Sequence, residues 1–501
     1  MIKKDTIMKK RYTLGIDVGT TGTKTYLFSE DGVAIAHAYQ GYALSNTQVG
    51  YSEQSADDWW TAIVKTVREV CDGRVAPDDV AAISLSTQGG TLVPVDKDCK
   101  PLRPAIVWND ARATEERDAY LQQVGDADSM YQKTGWALSA GLLLLEICWL
   151  RNHEPELFAK TDYFLSVPDF VSMKMTGVAA VDLSNAGINQ TTNVRHEAYD
   201  EELLRFAGVP EEKLPKLVHS GEVIGHLTEQ AAKELGLTTN AVLVAGAHDQ
   251  YAVALGAGAI RAGDLLIGSG TCWVVTSIGK EPDFSCGLSQ SVSAVEGLWG
   301  SLLSLSSGGL CLEWLRNNIA TCGDGTIDFR TLDAEAEKID AAKDGLFFFP
   351  FSGTYGDQKF FNKATFTGLD LSHNRFHLAR AIMEGVAFSV TWMTESFKTK
   401  PSKDGITLAG GASKSKLWSQ IVADITGLPV KTPALADLAC VGAAILAGIG
   451  CGMYENAEEG YHRFAVKETT VYPNPEAHSM YAPMLEEYKK QAKSLGQMYR
   501  P

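Results

Sequence analysis

Strand-like and helix-like segments alternate through most of this 501-residue chain, which predicts an α/β fold with sheets covered on both faces. A second observation sharpens the prediction, because one phrase is written twice. Leu14-Gly15-Ile16-Asp17-Val18-Gly19-Thr20-Thr21 runs into Thr23-Lys24-Thr25-Tyr26-Leu27-Phe28 and a turn at Asp31-Gly32. Leu265-Leu266-Ile267-Gly268-Ser269-Gly270-Thr271 runs into Cys272-Trp273-Val274-Val275-Thr276. Each copy reads as an apolar strand, a tight Gly/Thr turn and a second β-rich strand, hence a hairpin. With Ile16 laid on Ile267 the copies stand 251 residues apart. The length favours two to three domains. A cut near residue 255, where Gly256, Gly258 and Gly263 punctuate the chain, gives halves 1–255 and 256–501. No low-complexity linker separates them, so close packing around a hinge is expected.

The elements follow in order. After the first hairpin, Ser55 offers an N-cap and Asp57 and Asp58 an acidic first turn to an amphipathic helix through Trp59, Ile63, Val67 and Val70. Val80 to Ser86 reads as a buried strand and Thr91 to Asp96 as another, residues 114–175 read as mainly helical, and Val242 to Gly246 as a further short strand. In the second half the hairpin is followed by a helix from Leu310 to Asn317 and a strand from Gly345 to Phe351. A helix over 377–398, a strand Ile406 to Ala409 running into Gly410-Gly411, and helices over 415–426 and 440–449 complete the pattern.

Composition excludes several classes. The chain is 45% hydrophobic and 21% charged with a net charge of −16, an ordinary soluble balance whose sign opposes non-specific nucleic-acid binding. It does not oppose a bound nucleotide, since backbone N–H groups and a Mg²⁺ ion act locally. Nine cysteines without a Cys-x-x-Cys pair read as reduced thiols in a cytoplasmic protein. The start lacks an apolar run, Glu146 interrupts the greasiest stretch (Leu142 to Leu150), and residues 1–10 read as a loose tail.

Four motifs carry chemistry. Asp17, Gly19, Thr20, Thr21 and Lys24 put a carboxylate, two hydroxyls, turn N–H groups and a cation within one hairpin, the set that phosphoryl transfer needs around Mg²⁺ and phosphate oxygens. Asp17 becomes Gly268 in the second copy, an asymmetry that suits a site wanting one carboxylate for a metal. Gly410-Gly411-Ala412-Ser413-Lys414-Ser415 follows a strand and precedes a helix. It reads as a surface for a flat ligand or as a βα turn with a Ser cap. Asp249, after His248 at the end of a strand, reads as a helix N-cap or as a base at a strand's carboxyl end. His248 itself reads as a packed neighbour, without metal-spaced partners. Trp108-Asn109-Asp110-x-Arg112 reads as a sugar-holding aromatic plate or as a core Trp beside a capped helix.

Together these pieces resemble the FGGY carbohydrate kinase family, of the actin/Hsp70/hexokinase-like ATPase fold, from about residue 12 to 450. The most specific stretch is Ala364-Thr365-Phe366-Thr367-Gly368-Leu369 followed, seven residues later, by His377-Leu378-x-x-Ala381-Ile382-Met383-Glu384. It agrees with the family's C-terminal signature at each defined position. Tyr51-Ser52-Glu53-Gln54 with Trp59-Trp60, Gly410-Gly411-Ala412 with Trp418 and Ala423-Asp424, and Asp437 through Gly442-Ala443-Ala444 also match.

The resemblance implies two ribonuclease-H-like domains with a cleft between them, the first mainly for sugar and the second mainly for ATP. Asp17, Gly19, Thr20, Thr21 and Lys24 would serve Mg-ATP, with Asp17 toward the metal. Gly270 and Thr271 would meet the terminal phosphates, while Gly309, Gly410, Gly411, Ala412 and Ser415 would border the adenosine. Asp249 would be the catalytic base, and Gln88, Gly89, Gly90, Trp108 and Gln250 would join it around the substrate. A homodimer is implied as well.

Departures bear on the sugar. Xylulokinases carry Gln-Met-His where this chain has Gln88-Gly89-Gly90, and glycerol kinases carry Arg-Glu at the two glycines. The pair is expected to open space for a longer or differently oriented polyol. Glu146 stands where the N-terminal signature has Lys, and Gly353-Thr354-Tyr355 where xylulokinases have Gly-Glu-Arg. The texture is nearest the xylulokinase branch. The expected function is ATP-dependent phosphorylation of a ketose or polyol hydroxyl, with erythritol, L-fuculose or ribulose types as alternatives. A chaperone-like ATPase of the same superfamily and a non-catalytic sugar sensor are the rivals from other classes.

Overall fold

The computed structural model describes residues 11–124, 126–284, 288–322, 325–341, 343–351, 353–355, 358–360, 363–434, 437–464 and 467–498. The expected loose tail over 1–10, Cys286 and the side chains of Gly353–Tyr355 lie outside what is described. The chain forms two compact units. The first comprises Met1–Ile260, Ser289–Trp299 and Ala436–Val466, and the second Arg261–Leu288, Gly300–Leu435 and Lys467–Pro501.

Unit 1 is built on a six-stranded sheet, in the order Val223–His226, Val242–His248, Val80–Thr87, Tyr12–Val18, Gly22–Ser29, Ala34–Gly41. Tyr12–Val18 runs parallel to Val80–Thr87, which runs parallel to Val242–His248, while the hairpin strands and Val223–His226 pair antiparallel. The alternation of Tyr12–Val18 sends Leu14, Ile16 and Val18 into a core with Trp59, Ile63 and Val67. Those last three come from the helix Ala56–Cys71, which starts after Ser55 with Asp57 and Asp58 in its first turn, as the spacing predicts. The Ser55 side chain, however, makes no capping hydrogen bond.

Gly15 and Asp17 face the other side of the strand, where the helix Leu438–Gly450 packs. This helix, read in sequence with the second half, belongs to unit 1. Its approach is close: a Cβ on Gly15 would fall 1.9 Å from the Cys440 carbonyl oxygen, and one on Gly442 2.0 Å from that of Ala252. Glycine at both places lets backbone meet backbone.

Unit 2 repeats the sheet order. Trp299–Leu305, Trp273–Gly279, Leu265–Ser269, Ile406–Gly410, Val430–Pro433 and Glu468–Val471 lie side by side. The central strand Leu265–Ser269 again has its hairpin partner on one side and a parallel strand on the other. The second hairpin closes one residue tighter, with Ser269 opposite Trp273 where Val18 stands opposite Thr23. The helices Gly308–Asn318, Arg375–Glu395 and Lys416–Thr426 cover its core of Ile267, Trp273, Phe348, Ile382 and Trp418. Among the described residues no helix is long and apolar enough to cross a membrane.

Candidate active site

Register places Asp17. It stands opposite Lys24 across the hairpin and beside Ser86 on the parallel strand. Ser86 Oγ donates to Asp17 Oδ1 at 2.8 Å, and Lys24 Nζ lies 3.7 Å from Oδ2. Lys24 reaches a second carboxylate, Asp437, at 2.9 Å, and Asp437 caps the helix Leu438–Gly450 by accepting from the Cys440 N–H. Burial, with the charge of Asp437 second, lifts the Asp17 carboxyl from 3.8 to about 6, against the pull of Lys24 and Ser86. Asp249 adds a smaller push in the same direction. Three carboxylates thus sense one another around a single ammonium, a site short of positive charge.

The turn after Asp17 is held by its carbonyls. Tyr42 Oη donates to Gly19 O, Gln54 Nε2 to Thr20 O, and Tyr39 Oη to Thr21 O. Those oxygens are engaged, and Gly19 N closes the turn by donating to Gly22 O at 3.1 Å. Thr20 Oγ1 donates to Gln88 Oε1 at 3.0 Å and accepts from Trp108 Nε1 at 3.1 Å. Gln88 Nε2 continues to Gln54, which also accepts from Trp59 Nε1. One chain of hydrogen bonds therefore joins Thr20, expected at phosphate, to Gln88 and Trp108, expected at sugar. The Trp108 side of that alternative is settled against a core role, for the residue is 46% exposed.

Asp249 opens the helix Asp249–Gly256, and the residue that caps this helix is His248, whose Nδ1 accepts from the Gln250 N–H at 3.4 Å. The Asp249 carboxylate is therefore released from the N-cap role weighed in the sequence. It is 36% exposed, its Oδ1 lies 3.3 Å from His248 Nδ1, and that oxygen accepts no hydrogen bond among the described residues. Because Nδ1 already accepts the peptide N–H, two acceptors face each other there with no proton between them. The strand end is tied down from behind, with His248 N donating to Ser184 Oγ and Ser184 to Asp182.

Gly89 and Gly90 do not open space, and that expectation is corrected. A Cβ on Gly89 would lie 2.7 Å from both His248 Cδ2 and Ile188 Cγ2, and one on Gly90 2.6 Å from Leu142 Cδ2. Neighbouring side chains fill the volume. Gly90 also has φ of +75°, which glycine alone adopts freely.

Beside Trp108, Asp110 is a buried anchor. It accepts from Ser52 N and Arg112 N and pairs with the Arg112 guanidinium, which also reaches Glu53 at 2.8 Å and lies over the Tyr51 ring. Glu146 is fully buried close to this network, and burial, with Asp110 second, holds its carboxyl well above the usual range.

Unit 2 carries a cavity of about 540 Å³ lined by Gly270, Thr271, Gly309, Gly411, Ala412 and Ser415 among others. Its floor is made by close backbone approach. Gly309 N donates to Gly270 O, Gly411 N to Ser269 O at 2.7 Å, and Ala412 N to Ser269 Oγ. Gly410 lies at the strand end with φ of +100°. Ser415 caps the helix Lys416–Thr426 by accepting from Trp418 N, so the capping side of that alternative holds and the cavity adjoins the cap. Phe329, Arg330 and Asp333, from the helix Phe329–Ala336, complete the wall. Sequence reasoning missed them, because a short amphipathic helix carries no mark of what it borders. Burial raises the Asp333 carboxyl, against a hydrogen bond from Ser415.

The model of the FGGY family of carbohydrate kinases, N-terminal domain, matches residues 12–256, and that of the C-terminal domain matches residues 265–451. The chain belongs to the FGGY family of carbohydrate kinases. It is 30% identical over 487 residues to the xylulose kinase of Bacillus subtilis (strain 168), covering 96% of each chain. It is 29% identical over 479 residues to the gluconokinase of Bacillus licheniformis, covering 91% of this chain and 92% of that one. The crystal structure of xylulose kinase from Rhodospirillum rubrum superposes with a TM-score of 0.88 at 26% identity, covering 97% of this kinase and 99% of that chain. The expected two-domain α/β fold of the actin/hexokinase type is thereby shown, and the kinase is an enzyme acting on carbohydrate with ATP as co-substrate.

Proposed function

We propose that this kinase transfers the γ-phosphoryl group of ATP to a primary hydroxyl of a neutral ketose or polyol, as xylulose-type kinases do, with Asp249 as general base. One observation carries the reading. Asp249 is a 36% exposed carboxylate at a strand end that accepts no hydrogen bond among the described residues; its Oδ1 is buried against His248 Nδ1, and the group lies within electrostatic reach of Asp17. A general base needs an unengaged lone pair facing the proton it takes.

The unit 2 cavity accommodates the nucleoside, with Gly270 and Thr271 toward the phosphates and Gly309, Gly410, Gly411, Ala412 and Ser415 along the base and ribose. In unit 1 the sugar lies over Trp108, near Gln88 and Gln250, and its hydroxyl meets Asp249. As the hydroxyl oxygen attacks phosphorus, its proton passes to Asp249 and ADP leaves. Asp17 fits a Mg²⁺ ion: it is a desolvated carboxylate among like charges, and a divalent cation would relieve that repulsion. When bound, the ion would neutralise charge developing on the phosphate oxygens. Thr20, Thr21 and Lys24 border the same position.

Charge accounting favours a neutral sugar over an aldonate. Arg112 and Arg103, which flank the Trp149 ring, are engaged by Asp110, Glu53 and Glu154, and Lys24 by Asp437 and Asp17. A substrate carboxylate would find these cations already paired.

The test is coupled ADP release over pentuloses, hexuloses, polyols and aldonates, with wild type and Asp249→Asn. A ketose or polyol should be phosphorylated best, and Asp249→Asn should lower kcat by about 10²- to 10⁴-fold while ATP affinity holds. Retained turnover would remove Asp249 from the base role, and a preference for gluconate would overturn the neutral-sugar assignment.

A further inference from the structure

We infer that His248 reads the sugar: its Nε2–H donates to a substrate oxygen next to the hydroxyl that Asp249 activates, and Gly89 lacks a side chain so that the ring can lie there. The inference rests on the placement of the sugar at Asp249. His248 is held from several sides. Its backbone N–H is held by Ser184, its ring lies 5.8 Å from that of Trp136 and 5.7 Å from that of Tyr251, and Nδ1 accepts from Gln250 N–H.

A peptide N–H can only donate, so Nδ1 is the unprotonated nitrogen of the neutral ring and Nε2 carries the hydrogen. The side chain is 7% exposed, and Nε2 makes no hydrogen bond among the described residues. Nε2 is not among the buried polar atoms that lack a partner, so it keeps an accessible face from which an incoming acceptor can take the hydrogen bond.

Gly89 supplies the second, independent observation. Its φ is not positive, so the backbone there admits any residue, and sterics alone favour glycine. A Cβ would lie 2.7 Å from His248 Cδ2 and 3.1 Å from Nε2. The edge of the imidazole that carries the free N–H therefore lies against the α-carbon of Gly89. Next in the chain, Gly90 neighbours Trp108, whose Cβ would be 3.6 Å from a Cβ on that glycine. Base, imidazole and indole thus converge on one small region, and the class of group recognised is an oxygen acceptor, a carbonyl or a hydroxyl. A deoxy analogue lacking it would leave the N–H unpaired, the situation in which hydrogen-bonding sites discriminate most strongly.

The experiment measures kcat and KM for the preferred sugar and its monodeoxy analogues with wild type, His248→Ala, Gly89→Ala and the double variant. His248→Ala should lose about 10- to 100-fold in kcat/KM on the parent sugar, mostly through KM, with KM for ATP unchanged. The same change should abolish the wild-type penalty against one deoxy analogue. Gly89→Ala should cause a similar loss, and the double variant should lose at least threefold less than the product of the two, because the displaced ring is gone. Unchanged discrimination across all analogues in His248→Ala, or losses that multiply fully, would overturn the inference. If His248→Ala fails to fold, His248→Phe, which keeps a ring but has no N–H, is read in the same way. Should Asp249→Asn keep its turnover while His248→Ala shows the selective loss, the base assignment fails and the sugar contact stands; the opposite pair of results sinks His248 alone.

Discussion

Replacing Asp17 by Asn should abolish catalysis and, at the same time, stabilise the ligand-free protein. The carboxyl is lifted from 3.8 to about 6 by burial first and Asp437 second. At ~1.4 kcal/mol per pH unit, that rise withholds ~3 kcal/mol from folding once the group is ionised. The sign follows from proton binding. Between about pH 4 and 6 the folded protein holds a proton that the unfolded chain has released, so this group's contribution falls as pH rises through that window and is flat above it. Asn keeps the Ser86 hydrogen bond but forfeits the 3.7 Å contact with Lys24. The pull of Lys24 is already contained in that rise, and Lys24 retains Asp437. The net expectation is a gain of ~3 kcal/mol at pH 8 that shrinks toward zero by pH 4. Urea unfolding of both proteins across that range, without nucleotide or divalent cation, measures it. A variant no more stable than wild type at pH 8, or an offset that ignores pH, would refute the reasoning. The stability gained should accompany a loss of at least ~10²-fold in kcat, the mark of a site held under strain for function.

Other outcomes follow from single contacts. Gly15→Ala drives a methyl into the Cys440 carbonyl, which would lie 1.9 Å away. It should cost at least ~3 kcal/mol by forcing strand and helix apart, read as a lowered unfolding midpoint or loss of soluble protein. Gly268→Asp meets nothing nearer than 3.6 Å at its Cβ, so it should fold normally. Its charge beside Thr271 should nevertheless raise KM for ATP about tenfold or more through repulsion of phosphate, and an unchanged KM would count against phosphate at that turn. Trp108→Phe keeps an aromatic face but removes the donor to Thr20. It should raise the sugar KM several-fold and leave thermal stability within about 1 kcal/mol.

The hairpins, most element positions and the glycines that line the unit 2 cavity were legible because each is a local pattern. A strand of alternating apolar residues, a Gly/Thr turn or a glycine pair before a helix announces itself within a few residues. What could not be read was set by packing between distant segments. Nothing near residue 440 says that the helix Leu438–Gly450 returns to cover Tyr12–Val18, nor that Asp437 therefore shares Lys24 with Asp17. The same limit produced the error at Gly89 and Gly90. Two absent side chains looked like empty volume, whereas His248, Ile188 and Leu142 occupy it. Arg330 and Asp333 were missed for the complementary reason, since their helix reads as an ordinary surface element until the cavity is seen.

The two hairpins show how a duplicated scaffold can carry unequal chemistry. In both units a central strand ends in a Gly-Thr turn beside a parallel neighbour. In unit 1 the position before that turn is a carboxylate whose ionisation is resisted by burial and by two other carboxylates; in unit 2 it is glycine. Steric need does not explain Gly268, because a Cβ there would meet only the Val274 oxygen at an ordinary 3.6 Å, and its φ is not positive. A second acid would instead stand beside the turn and cavity assigned to the nucleotide, where it would repel phosphate without gaining a partner comparable to Lys24. The difference between Asp17 and Gly268 is therefore electrostatic rather than steric, and under the proposed function it would suit one copy of the turn to a metal ion and the other to phosphate.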